Sequence, residues 1–299
     1  MMKITVLYGG NGDEREVSLR SGSRVAGALR DAGHTVTLID HQSKRLADAS
    51  ELLRSAREAD AVFLALHGGA GEDGTLQKEL EAQGIFHYTG SAPRGAAIAM
   101  RKDLAKARVA AVGVPVAKGV TLSHKTALPP LPLPLAVKPT AGGSSVGLYF
   151  VKTVEEWQKI TPCGGILCEE YLPGREYTVG ILGGRALPVV EIRPLGGAYD
   201  YEHKYTAGAS EELCPAPLSP QKAGYLTGLA LSAYGALGLR DYARIDFRED
   251  EGAEPRFLEA NTLPGMTETS LFPLAASAAG ISFPQLCEIM ATSAAKRKR

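Results

Sequence analysis

Asp246 and Glu259 stand in two short alternating segments, Ala243–Phe247 and Phe257–Asn261, with a turn signal at Gly252 between them. Successive side chains of a strand point to opposite faces. Ala243, Ile245 and Phe247 therefore share one face, and Arg244 and Asp246 the other. On the return strand Phe257, Glu259 and Asn261 share a face. A turn centred near Gly252 puts Asp246 roughly opposite Glu259. Two carboxylates facing each other across a ladder repel, so the pair needs a cation. Oxygen ligands from Asp, Glu and Asn suit magnesium, which binds few protein groups and takes substrate phosphates as well. A polar face in which Arg244 pairs one carboxylate satisfies the same pattern. Asn261 is one of only two asparagines in the chain, which adds a little weight to the metal reading.

Further candidates lie in glycine-rich loops. Lys138 ends an apolar strand and is followed by Pro139-Thr140-Ala141-Gly142-Gly143-Ser144-Ser145, which offers a point charge and free backbone N–H groups to phosphates. An ordinary glycine-rich hairpin linker would read the same way. Gly10-Asn11-Gly12-Asp13-Glu14-Arg15 fails the dinucleotide fingerprint, because Arg15 stands where the third glycine belongs. Glu14 suits the acidic first turn of a helix as well as it suits a ligand. His67 ends a strand before a loop containing four glycines, a place for either a ligand or a structural histidine. On the residues alone, Glu169 and Glu170 read as a solvated strand end.

The elements that must position these groups are legible. Apolar runs at Ile4–Leu7, Val36–Ile39 and Ala61–Leu66 alternate with helical patterns at Val17–Leu29 and Ala49–Arg57, which predicts a parallel sheet covered on both faces. Ligands of such sheets bind beyond the carboxyl ends of the strands, where the Gly9 and His67 loops lie. A second unit begins near Gly95 with a helix around Ala96–Val112, stopped by Gly113. A proline-stiffened connector then feeds a strand at Leu135–Lys138. Gly165–Tyr171 and Glu176–Leu182 read as strands, with Gly183-Gly184 a hairpin turn. The remainder carries a polar loop from Pro194 to Glu212, a helix from Pro220 to Leu237, the carboxylate hairpin and two closing helices.

Composition excludes several classes. With 33 basic and 33 acidic residues in 299, nothing electrostatic points to nucleic acid or an acidic membrane. No apolar run approaches the roughly 18 residues a bilayer requires, and the amino-terminal segment is too short for a signal sequence. Cys163, Cys168, Cys214 and Cys287 have no zinc spacing and read as reduced structural thiols in a cytosolic chain. Lys296–Arg299 reads as a solvated tail.

In order along the chain, GGNGDEREVSLRSG (9–22), ALHGGAGEDGTLQ (65–77), VKPTAGGSSVG (137–147), EEYLPGREYTV (169–179), YDYEHKY (199–205), ARIDF (243–247) and LEANTLPGMTETSL (258–271) resemble the D-alanine–D-alanine ligases of the ATP-grasp superfamily. The resemblance runs from Lys3 to about Met290. It implies an α/β (α+β) ATP-grasp fold: an N-terminal Rossmann-like parallel-sheet domain over 1–95, a small central α+β domain over 96–183 and a C-terminal α+β domain over 184–299.

The implied activity is ATP-dependent ligation of two D-alanines through a D-alanyl phosphate, for peptidoglycan precursors. Siblings take another D-amino acid or D-lactate second. By the same resemblance Lys102, Lys138 and Lys204 hold the ATP phosphates beside the Ser144-Ser145 loop. Asp246, Glu259 and Asn261 bind two Mg2+ ions, or Mn2+. Glu169 and the Leu172 backbone meet adenine, and Glu176 meets ribose. Arg244 and the Gly265 N–H stabilise the tetrahedral oxyanion. Glu14 binds the first D-alanine's ammonium with His67 beside it, while Ser270 and Leu271 flank the second D-alanine. Glu14, Ser144 and Tyr205 form a triad that ties a lid over the site, and Lys204-Tyr205 is the pattern of dipeptide-forming members. Arg101 departs from the family, which commonly has aspartate there. The resemblance also implies a cytoplasmic homodimer.

Overall fold

The structure is a computed structural model that describes residues 1–12, 14–42, 49–143, 146–162, 164–194 and 210–298. Strands β1 (Lys3–Gly9), β2 (Thr35–His41) and β3 (Ala61–Leu64) form the expected parallel sheet in the order β2-β1-β3. Helices α1 (Arg15–Asp31) and α2 (Ser50–Glu58) connect the strands, and α3 (Gly69–Glu72) and α4 (Thr75–Ala82) follow the last of them. All four residues of β3 are buried, which explains its unbroken apolar run. Ile4, Val6, Val25, Leu29 and Phe63 share a core with Phe272, Leu286 and Met290 from far along the chain. The contributors of those last three, α9 (Leu271–Ala278) and α10 (Phe283–Ala295), thus seal the amino-terminal sheet.

The tail does not behave as a solvated run. Arg297 donates from Nη1 (2.8 Å) and Nη2 (2.7 Å) to the nearly buried Asp241 carboxylate, and also to the backbone of Tyr88 and Ser293. A planar guanidinium can satisfy several acceptors at once, and that capacity converts a charged terminus into a latch.

A four-stranded antiparallel sheet, in the order β4-β7-β5-β6, is built from β4 (Gly119–Leu122), β5 (Leu135–Pro139), β6 (Tyr149–Val151) and β7 (Ile166–Glu170). Its core centres on Trp157 of α7 (Val154–Lys159), whose indole N–H reaches the Thr126 carbonyl at 2.9 Å. Leu131 and Leu133 pack there too, so the proline-rich connector is folded onto this sheet.

The third sheet is antiparallel, in the order β11-β10-β8-β12-β13 with β9 beside β8. Its strands are β8 (Glu176–Leu182), β9 (Arg185–Ala186), β10 (Val190–Pro194), β11 (Ser210–Leu213), β12 (Tyr242–Glu249) and β13 (Pro255–Asn261), packed against α8 (Pro220–Ala236). Ser210–Leu213 is therefore strand rather than the end of a polar loop, because Glu191–Pro194 offers it a free edge.

The helix expected over 96–112 is two helices, α5 (Pro93–Met100) and α6 (Lys102–Ala110). Arg101 between them is extended, at φ −90° and ψ 99°. It bridges Ala141, and the Lys102 N–H donates to the Thr140 carbonyl at 2.8 Å. First-turn N–H groups have no partner within their own helix, so restarting the helix at Lys102 frees a donor for the glycine loop after β5.

Candidate active site

Asp246 does face Glu259, and Arg244 faces Asn261. The facing arises differently from the expected alternation. The ladder runs evenly from Glu249↔Pro255 to Phe247↔Phe257, then skips Leu258 at a β-bulge. The bulge reverses the parity of the strand. Phe257 is consequently fully buried against Phe247, with ring centroids 6.2 Å apart, and does not share a face with Glu259. Leu258 and Glu259 both line the cleft instead.

The Asp246 carboxylate is oriented by three donors: Arg244 Nε and Nη2, each at 2.9 Å, and the Thr178 hydroxyl at 2.6 Å. Arg244 thus pairs with a carboxylate, while Asp246, Glu259 and Asn261 line the same cleft. Among the described residues no three His, Cys, Asp or Glu side chains cluster as a metal nest. The candidate set is two carboxylates and an amide, an all-oxygen donor set suited to magnesium with room for phosphate oxygens.

Lys102 opens α6, with Nζ 3.3 Å from Glu259 Oε2 and a hydrogen bond to the Gly142 carbonyl. Lys138 is the penultimate residue of β5, with Nζ 2.7 Å from Glu169 Oε2. Glu169 is not a solvated strand end: it is 2% exposed, at the centre of a buried triad. Its other oxygen, Oε1, lies 2.7 Å from Lys106 Nζ, which also donates to the Phe257 carbonyl at 2.9 Å. Burial pushes the Glu169 carboxyl upward, but the two ammoniums reverse this and hold it below the usual carboxylate range. Burial drives Lys106 down to about 8, with Glu169 opposing the fall. Sequence reasoning missed Lys106. The available signal was its place four residues after Lys102, on the same helix face.

Between the second and third sheets, Ala136, Leu148, Phe150, Leu172 and Leu258 wall a chamber that is apolar on its sides and charged at Lys102, Lys138, Glu176 and Glu259. Phe150 stands edge-on to Tyr171 at 5.4 Å, and Glu176 pairs with Arg248 at 3.6 Å. A flat aromatic ligand would fit among such walls, with its charged end towards the lysines. The chamber shares Lys102, Gly142, Asp246 and Glu259 with a wider cleft of about 1630 Å³ open to solvent.

The far end of that cleft is lined by Glu14, His67, Glu72, Gly265, Ser270 and Leu271. Glu14 caps α1, and Gly68 at φ +67° packs so closely that a β-carbon there would collide with the Glu14 carboxylate. His67 keeps both ring nitrogens on protein: Nδ1 is 3.1 Å from the Leu263 carbonyl and Nε2 is 2.9 Å from Ser21 Oγ. The carbonyl can only accept, so Nδ1 carries the proton. Burial raises the Glu72 carboxyl above its ordinary value, with Glu14 adding repulsion and His67 opposing.

Ser270 Oγ accepts from the Thr267 N–H at 2.9 Å, and a β-carbon at Gly265 would lie 2.7 Å from that oxygen, so a side chain there would displace the Ser270 hydroxyl. Arg24 of α1, also missed from sequence, donates to the Met266 and Thr267 carbonyls at 2.9 and 2.8 Å and lies 3.6 Å over the Phe283 ring. Ser144, Ser145, Lys204 and Tyr205 lie outside the described residues.

Arg15 fills the place of the third fingerprint glycine with a bidentate pair to Asp40, at 2.8 and 2.5 Å. The described cysteines are free: burial raises Cys168 to about 11 and Cys287 to about 12, as befits inert thiols. No single described helix is long and apolar enough to cross a membrane.

Comparison with known proteins agrees with the geometry. Residues 112–292 match the family model described as D-ala D-ala ligase C-terminus. The D-alanine–D-alanine ligase of Gluconobacter oxydans is 44% identical over 306 residues, covering 99% of this chain and 100% of the relative. That of Methylacidiphilum infernorum is 41% identical over 290 residues, covering 95% and 93%. The crystal structure of the Bacillus anthracis D-alanine–D-alanine ligase complexed with ATP superposes with a TM-score of 0.85 at 29% identity, over 99% of this chain and 98% of that one. The VanG D-Ala:D-Ser ligase of Enterococcus faecalis gives 0.78 at 27% identity, over 98% and 99%. Three sheets around one cleft, facing carboxylates beside a lysine-lined chamber and agreement over nearly the whole length lead to one statement: the chain belongs to the D-alanine–D-alanine ligase family, with the ATP-grasp fold.

Proposed function

We propose that this protein joins two D-alanines into D-alanyl-D-alanine at the expense of ATP. The first carboxylate takes the γ-phosphoryl group and the second amine displaces the phosphate. The observation that carries this reading is the Asp246–Glu259 pair at the junction of the lysine-lined chamber and the wider cleft.

The adenine lies between the Leu172 and Leu258 walls, with Glu176 at the ribose. Lys102 and Lys138 neutralise the phosphates, and Lys204 joins them. Phosphoryl transfer needs positioning and charge neutralisation more than covalent help. Asp246, Glu259 and Asn261 would hold two magnesium ions, or manganese, which would supply Lewis-acid stabilisation of the transferring phosphoryl group. Arg244, aligned by its Asp246 pair, and the Gly265 N–H receive the oxyanion as the amine attacks. Glu14, backed by His67, takes the first ammonium, while Ser270 and Leu271 bound the second substrate. Carried over from the family, Ser144 and Tyr205, which lie outside the described residues, would keep water from the acyl phosphate. Units near 1–95, 96–183 and 184–299, a homodimer and a cytoplasmic location are carried over from the family.

The test is ADP and phosphate release with ATP and magnesium, supplying D-alanine, L-alanine, D-alanine with D-serine, or D-alanine with D-lactate, with products identified by mass. D-Alanyl-D-alanine as the sole major product is the expected result. A dominant mixed product would discard the second substrate but keep the chemistry. No ADP under any condition would overturn the proposal.

A further inference from the structure

Lys106 is among the most buried cations of the chain, and the mechanism above gives it no task. Its ammonium lies 2.7 Å from Glu169 Oε1, and Lys138 Nζ lies 2.7 Å from Glu169 Oε2. One carboxylate therefore serves two lysines, which differ in position. Lys138 and Glu169 line the chamber, whereas Lys106 stands behind them, tied to the Phe257 carbonyl at 2.9 Å. A buried carboxylate stripped of its last cation is strongly disfavoured. Were Lys138 its only partner, every approach of Lys138 to a phosphate would strand Glu169.

We propose that Lys106 is a positioning residue that holds the charge of Glu169 and so releases Lys138 to the phosphates of the bound nucleotide. The inference rests on the reading that ATP occupies this chamber. It gives the triad an exchange logic: Glu169 parks two ammoniums while the chamber lacks phosphate, and keeps one when phosphate arrives. The set carries one surplus positive charge, which polyphosphate neutralises. Lys106 stands behind the chamber wall, so its removal acts on the nucleotide through Glu169 and Lys138.

Equilibrium binding of an imido-bridged ATP analogue, followed by calorimetry, and steady-state kinetics are measured for wild type, Lys106→Met, Lys106→Met/Glu169→Gln and Lys106→Arg. In Lys106→Met the analogue binds about tenfold more weakly and KM for ATP rises in step, because Lys138 is now held by Glu169. KM for D-alanine stays within about twofold. Neutralising Glu169 as well frees Lys138, so the double variant binds the analogue more tightly than Lys106→Met but short of wild type, because Glu169 is itself an implied adenine contact. Lys106→Arg keeps the cation and binds within about threefold of wild type, which also tests the proposal should the methionine variant fail to fold.

An unchanged nucleotide affinity in Lys106→Met, an equal loss in ATP and D-alanine KM, no recovery in the double variant, or a tenfold loss in Lys106→Arg would each overturn it. Wild type that binds no adenine nucleotide would instead sink the ATP reading itself.

Discussion

Replacing Arg24 with methionine tests whether α1 holds the loop that carries Gly265 and Ser270. Arg24 donates to the Met266 and Thr267 carbonyls at 2.9 and 2.8 Å and covers the Phe283 ring at 3.6 Å. Its pair with the exposed Glu268 at 3.4 Å contributes little. Charge-assisted hydrogen bonds at a partly buried site are worth about 1.5–3 kcal/mol each, and a cation–π contact about 0.5–1 kcal/mol. Methionine retains much of the apolar contact, and the Ser21 hydroxyl still accepts from the Met266 N–H at 3.3 Å. The net loss is therefore about 2–3 kcal/mol of loop ordering, a ceiling of roughly 30- to 150-fold in kcat. The chamber is remote from this loop, so affinity for an ATP analogue should stay within about twofold. Stopped-time assays of dipeptide and ADP, with analogue binding in parallel, measure both quantities. A kcat within threefold of wild type would refute the argument, as would an ATP-affinity loss matching the kcat loss.

Glu259→Gln should lower turnover at ordinary magnesium by about 100-fold while leaving the thermal midpoint within a few degrees, since one facing carboxylate of the proposed metal set is lost; near-wild-type turnover would remove Glu259 from that set. Arg297→Ala strands the Asp241 carboxylate with the Gly90 N–H at 3.0 Å. About 2–3 kcal/mol of stability should go, lowering the thermal midpoint by about 4–8 °C with kcat unchanged; calorimetry showing a shift below 1 °C would restore the free tail. The hydrogen bond from Arg15 holds Asp40 below the usual carboxylate range. A depressed folded value means stability present above the unfolded value and lost as pH falls through the folded one. Asp40→Asn should thus lower the midpoint by about 2 °C at pH 7 and by clearly less near pH 3, a modest size because the pair is partly exposed. An equal deficit at both values would assign the loss to packing.

Residue types and their spacing specify the chemistry available and the order of its carriers. The parallel sheet was legible because a short buried strand must be an apolar run, and the β1 and β3 loops were legible because glycine marks backbone bent where side chains cannot follow. The carboxylate hairpin was legible because alternation with period two is itself the signal. Its true geometry was not. The bulge at Leu258 depends on Phe257 finding Phe247 and the third sheet's core, and no local pattern distinguishes a bulged strand from a regular one. Glu169 was misread for the same reason: a carboxylate at a strand end looks solvated until two lysines from other elements, Lys106 and Lys138, arrive within 2.7 Å. Arg24 and Arg297 were invisible because their acceptors are carbonyls or carboxylates at distant positions, with no side-chain motif to announce them. Local spacing decides which groups can share a face; only packing, which closes hundreds of residues of chain around one cleft, decides which charge meets which.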